Sequence, residues 1–147
     1  MPEDAVFFTP KQWSRRFGRN FFTVRCVGHE VATGGFVEYV LEVERGDGDV
    51  TEGGAQTQQA ASAIQGSQQW TRKHRYNEFL ELRGELKKRG LLCEDACEFP
   101  PKGWPWNRND ENFLLTRQGA LEGWLFEQLK SKDVLQLDLT RKFLGLI

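Results

Sequence analysis

The chain has 147 residues, 39% of them apolar and including 11 Phe and 5 Trp, which suffices for one domain around one hydrophobic core and argues against wholesale disorder. Its net charge of −1 speaks against a general nucleic-acid binder, and no apolar run approaches the roughly 20 residues that span a bilayer. The opening Met1-Pro2-Glu3-Asp4-Ala5 lacks the basic start and apolar stretch of a secretory signal, and three cysteines cannot all pair with one another, so a soluble protein of a reducing, intracellular compartment is expected.

Residues 1–20 carry Val6, Phe7, Phe8, Trp13 and Phe17 without a sustained period and read as an N-terminal extension that packs on the domain or becomes ordered with a partner. Phe21 to Glu30 is aromatic and β-branched and predicts a strand, followed by a turn at Gly34-Gly35. From Phe36 to Glu44 the residues alternate, with Val37, Tyr39, Leu41 and Val43 on one face, which predicts a half-buried antiparallel partner and hence a hairpin. Residues 46–69 contain only Val50 and Ile64 as sizeable aliphatics and read as a flexible, low-complexity insertion, an inert loop or a partner-binding segment. Trp70 to Tyr76 predicts a third strand. Asn77 then caps a helix with Phe79, Leu82 and Leu86 at helical spacing, Leu80 at their flank, Lys87, Lys88 and Arg89 in its last turn and Gly90 at its end.

The segment Phe99-Pro100-Pro101-Lys102-Gly103-Trp104-Pro105-Trp106 follows. Proline fixes φ and donates no backbone hydrogen bond, so this stretch is expected to be extended and exposed. Tryptophans on such a loop are explained by burial on their own domain, by a partner surface or by a membrane interface, and Lys102 adds a charge able to meet a phosphate. Beyond it, Asp110 or Asn112 caps a helix that turns Phe113, Leu114, Leu121, Trp124, Leu125 and Leu129 inward. A final helix from about Asp133 buries Leu135, Leu139, Phe143 and Leu146. The sum is an α+β domain, a three-stranded antiparallel sheet packed against a helical subdomain with a proline-rich loop. The charge is uneven: residues 1–70 hold six basic against nine acidic side chains, residues 71–147 fourteen against twelve, which leaves room for a small basic site in the second half. Cys26 and His29 with Cys93 and Cys97 have spacings found in zinc sites, but strand positions three apart face opposite sides, and no metal or other cofactor is expected.

Taken together, His74-Arg75-Tyr76-x-x-Phe79-x-x-Leu82, Phe99-Pro100-Pro101-Lys102 and Phe113-x-x-x-Arg117-x-x-x-Leu121-x-x-Trp124-Leu125 resemble the signature of a PX (phox homology) domain of the sorting-nexin type, over residues 21–147. The resemblance implies a module that binds phosphatidylinositol 3-phosphate and recruits its protein to the cytosolic face of endosomal membranes. It implies that Arg75 holds the 3-phosphate, that Tyr76 packs on the inositol ring, that Lys102 meets the 1-phosphate and that Arg117 reaches the 4- and 5-hydroxyls. Trp104 and Trp106 correspond to the membrane-inserting part of the loop. These residue types suit those tasks: guanidinium offers a planar fork of donors, lysine an orientable point charge, and an aromatic face flat contact at low entropic cost.

Plainer readings stand beside these. Arg75 can pair with Glu78 or Glu81 at the surface, Tyr76 can pack in the core, and Arg117 can be a solvated helix charge. His74 stands where the family often has a basic residue; if it lies near the pocket, binding tightens at mildly acidic pH. The alternative function is a PX-like protein-interaction domain with weak or no lipid binding, its partners held by the N-terminal extension, the Trp loop or the insertion. Neither histidine sits in a metal or nucleophile motif, and an enzyme is not expected.

Overall fold

The computed structural model describes residues 6–13, 21–46, 67–94, 98–102 and 110–146. Strands β2 (Phe21–Val31) and β3 (Val37–Gly46) pair antiparallel, and β4 (Ser67–Arg75) pairs antiparallel with β3. The two-residue β1 (Val6–Phe7) pairs parallel with the start of β2, so the sheet has four strands in the order β1-β2-β3-β4 where the sequence predicts three. Two ladder positions are too few to display a period of two, which is why pattern reading passes over them. Phe7 is nonetheless buried, its ring 5.6 Å from that of Phe22 and 5.3 Å from that of Phe126.

The alternation in β3 works as expected. Tyr39, Leu41 and Val43 are fully buried and join Phe22 and Val24 of β2 on the inner face of the sheet. Between β2 and β3 the chain reverses through paired backbone bonds, Ala32 N–H to the Phe36 carbonyl and Gly35 N–H to that of Ala32, both 2.8 Å. The β3–β4 ladder continues out to Gly46 opposite Ser67. Its last rungs thus include both ends of the segment predicted to be an insertion, while residues 47–66 lie outside the described residues.

One sequence expectation fails in β2. The register slips between Cys26 and Gly28, so Cys26 stands opposite Leu41 and His29 opposite Tyr39, both inner-face positions. The extra residue of the bulge, Val27, resets the alternation and turns itself outward, and two residues three apart come to share a face. The bulge is docked on a helix: the Cys26 N–H donates to Glu122 Oε2 at 2.8 Å, and His29 Nδ1 lies 2.8 Å from Gln118 Oε1. Burial, reinforced by the Glu122 carboxylate, pushes the Cys26 thiol up to about 12. Among the described residues no group of three or more His, Cys, Asp and Glu could hold a metal ion, and Cys97 lies outside them.

Helix α1 (Tyr76–Lys88) starts two residues earlier than the Asn77 cap predicts. Arg75 is the N-cap, and its N–H donates to Glu78 Oε1 at 2.9 Å, which satisfies a donor that would otherwise face the helix end alone. Phe79, Leu82 and Leu86 are buried as predicted. Helix α2 (Glu111–Leu129) is capped by Asp110, whose side chain accepts from the Asn112 N–H at 3.1 Å. Its buried stripe of Leu114, Leu121, Trp124, Leu125 and Leu129 follows the prediction, while Phe113 is half-buried. Gln128, also fully buried, bonds both the N–H and the carbonyl of Cys93, so the chain between α1 and the prolines is tied to α2.

The single C-terminal helix predicted from Asp133 is two short helices, α3 (Lys132–Leu135), capped by Ser131, and α4 (Asp138–Leu144). The break between them lets Val134 and Leu135 as well as Phe143 and Leu144 reach the core, which one straight helix of that length would not allow. Gly145 closes α4 with φ +79°, and a Cβ at that position would lie 2.5 Å from Arg72 Nε and 2.6 Å from Trp70 Nε1. Trp70 Nε1 in turn donates to the Leu144 carbonyl at 2.8 Å, pinning the helix end to β4. Gly145→Ala therefore meets both a left-handed backbone penalty of about 1–2 kcal/mol and a steric clash. A fall of roughly 5–10 °C in the thermal midpoint is expected, read by calorimetry beside Lys142→Ala, an exposed change on the same helix expected to move it little.

Candidate functional site

The end of β4, the start of α1, the proline segment and α2 meet around Tyr76. This residue is buried by its position at the first turn of α1, with its ring 5.4 Å from Phe99 and its hydroxyl donating to the Pro100 carbonyl at 2.7 Å. Phe99 in turn meets the ring of Trp124 edge-on at 5.0 Å. Pro100 is consequently buried, where the sequence predicts an exposed segment, whereas Pro101 and Lys102 are exposed. Burial raises the Tyr76 phenol above its ordinary range, with Arg117 and then Arg83 pulling the other way, so the side chain is a neutral donor.

Arg117 projects from the second turn of α2 onto this ring. Its guanidinium carbon stands 4.0 Å from the Tyr76 centroid and 4.5 Å from that of Phe113, one helical turn before it. Nη2 donates to the carbonyls of Pro101, at 3.1 Å, and of Lys102. One edge of the fork thus holds the proline segment in place, and the charge rests on aromatic faces. The Lys102 side chain is exposed; its carbonyl is what touches Arg117. Arg83 supports the same region from α1, donating through Nε to Glu94 Oε2 at 2.7 Å and through Nη2 to Glu94 Oε1 at 3.0 Å. Glu94 also accepts from Trp124 Nε1 at 3.0 Å, and these donors, Arg83 foremost, hold its carboxyl below the ordinary range.

Arg75 leaves β4 on the face opposite its neighbour His74. Its guanidinium carbon lies 4.2 Å above the centroid of Phe36, and its Nε is buried with no hydrogen-bond partner among the described residues. The ion pairs with Glu78 or Glu81 that sequence allows are not formed: Glu78 accepts from the backbone of Arg75 instead. Among the described residues no carboxylate pairs with Arg75, Lys102 or Arg117. His74 points inward, stacked on Phe143 at 3.8 Å and 7°, with Nε2 donating to the Phe143 carbonyl at 2.7 Å. Strand alternation thus removes it from the side where Arg75 emerges, so the condition under which His74 would make binding tighten at mildly acidic pH is not met.

Of the residues singled out from sequence, Tyr76, Arg117 and the backbone of Lys102 are in direct contact, and Arg75 joins them as the residue before Tyr76. Trp104 and Trp106 lie outside the described residues. Sequence reading did not assign Phe36 or Phe113 to the site. The i, i+4 spacing of Phe113 and Arg117 carries a signal for the second; nothing local carries one for Phe36, which meets Arg75 only through the fold.

A family model for the PX domain matches residues 62–146. The chain belongs to the PX domain family. PX domains are in general phosphoinositide-binding, membrane-targeting modules. Among solved structures, this PX domain is similar to a designed CISK-PX domain, at 22% identity and a TM-score of 0.61, covering 82% of this chain and 96% of that one. It is also similar to the mouse SNX19 PX domain with bound sulphate ion, at 19% identity and 0.54, covering 84% and 95%, and to the mouse SNX19 PX domain at 18% and 0.51 with the same coverage. Those likenesses show the fold. No curated protein matches the sequence. Among the described residues no helix of this PX domain is long and apolar enough to cross a membrane, and its family character is that of a peripheral membrane module.

Proposed function

We propose that this PX domain binds phosphatidylinositol 3-phosphate and so recruits its protein to the cytosolic face of endosomal membranes. The observation that carries the reading is the state of Arg75 and Arg117: both guanidinium groups lie on aromatic rings, and neither is neutralised by a carboxylate among the described residues. Cations desolvated on one face and without a carboxylate partner favour an incoming anion, because the ligand displaces no internal salt bridge. In this reading Arg75 takes the 3-phosphate with its free edge, Tyr76 lines the inositol, and Lys102 swings to the 1-phosphate from its exposed position. Arg117 offers the 4- and 5-hydroxyls only what its loop contacts leave, so phosphates at those positions are disfavoured by crowding against a clamped loop.

In this reading Trp104 and Trp106, which follow the proline segment held by Tyr76 and Arg117, insert into the bilayer interface. Liposome sedimentation across all phosphoinositides tests the function, with Trp104→Ala alongside. Wild type is expected to prefer vesicles carrying the 3-phosphate lipid. Trp104→Ala is expected to lose about tenfold on vesicles, the scale of one aromatic side chain transferred from water, while binding a soluble short-chain headgroup like wild type. Binding to a protein partner with no retention on any phosphoinositide vesicle would replace this reading with the protein-interaction one.

A further inference from the structure

Arg75 is a long, flexible side chain at a strand end, yet no ion pair among the described residues fixes its direction. Its contact is the ring of Phe36, the residue at which the β2–β3 turn closes on Ala32. Phe36 precedes Glu38 by two positions, and Glu38 faces Arg75 across the β3–β4 ladder, so ring and guanidinium meet diagonally on one face of the sheet. The ring itself is seated by the turn. A Cβ at Gly34 would fall 2.9 Å from Phe36 Cε2 and 3.2 Å from Cδ2, so only a residue without a side chain leaves the ring its place.

We propose that Phe36 is a positioning residue for phosphate recognition: its ring holds the plane of the Arg75 guanidinium so that the donor edge stays directed at the ligand. This rests on the proposed headgroup function and adds a residue to it. The stack occupies the face of the guanidinium and leaves its in-plane N–H groups unspent, which a carboxylate partner would not. It also lowers the ordering cost that a free arginine would meet on binding. The β2–β3 turn thereby sets affinity without touching the phosphate.

The test is calorimetric titration with soluble dibutanoyl phosphatidylinositol 3-phosphate, which removes any contribution from membrane insertion. Phe36→Leu keeps apolar bulk and loses the π face; its affinity is expected to fall about 3- to 5-fold at unchanged stoichiometry, the scale of one cation–π contact, and Phe36→Trp is expected to restore it. Stoichiometry reports the folded fraction, so a folding defect is separated from a binding defect. Gly34→Ala, which crowds the ring, is expected to weaken binding in wild type and to have no effect in a Phe36→Ala background, a coupling that a general loss of stability would not produce. If Arg75→Ala loses the headgroup while Phe36→Leu binds like wild type, the positioning role is overturned and the function stands. If wild type itself ignores the soluble headgroup, both are overturned.

Discussion

Arg75→Ala is expected to abolish selective binding of the 3-phosphate lipid while leaving the domain folded. The side chain has no carboxylate partner among the described residues, so its removal strands no buried charge. The helix cap survives as well, because Glu78 accepts from the backbone N–H of residue 75 and not from its side chain. What disappears is a two-pronged charge-assisted contact. At roughly 1.5 kcal/mol for each hydrogen bond to a charged group, about 100-fold in headgroup affinity is at stake. Calorimetry with a soluble headgroup reads the loss, and the thermal midpoint is expected to move by no more than a degree or two. Wild-type affinity in Arg75→Ala would remove the residue from the site.

The second large effect is expected at Arg117, and it differs in kind. Arg117 joins the Tyr76 and Phe113 rings to the carbonyls of Pro101 and Lys102, so it holds the loop as well as offering charge to a ligand. Arg117→Ala loses stacking of about 0.5–1 kcal/mol together with two backbone contacts of similar size, and roughly 30-fold weaker binding to vesicles is expected. Arg117→Lys keeps the charge but has no planar fork, and is expected to recover only a minor part of it. Faster amide exchange in the loop segment 98–102 would accompany both variants, since the carbonyl anchors are gone. Vesicle binding lost with loop exchange unchanged would assign Arg117 to the ligand alone.

His74 and Arg75 show how far one-dimensional reading carries. Adjacent positions in a strand face opposite sides, so a strand ending at Arg75 already divides the two residues between the core face and the opposite face of the sheet. That rule needs the strand to extend unbroken to its last residue, which β4 does. In β2 the same rule misleads, because one extra residue at Val27 brings Cys26 and His29 to the same face. A bulge has no reliable signature in the alternation that it interrupts; it is stabilised from outside, here by Glu122 and Gln118 on α2. The N-terminal residues behave similarly. Val6 and Phe7 are too few for a pattern, and the edge of β2 together with Phe126 makes them a strand.

Periodic apolar spacing by itself determined the β3 face, the buried stripes of α1 and α2 and the α+β class, since each depends on residues close in sequence. The identities of Arg75, Tyr76, Lys102 and Arg117 were legible as spaced motifs. Which of their edges are free was decided only by tertiary structure: the ring of Phe36 under Arg75, the clamp of Arg117 on the loop, the burial of Pro100 and the inward turn of His74. Those contacts join segments 15 to about 70 residues apart, and a side chain's partners over such separations follow from how the sheet and helices pack, which no local spacing encodes.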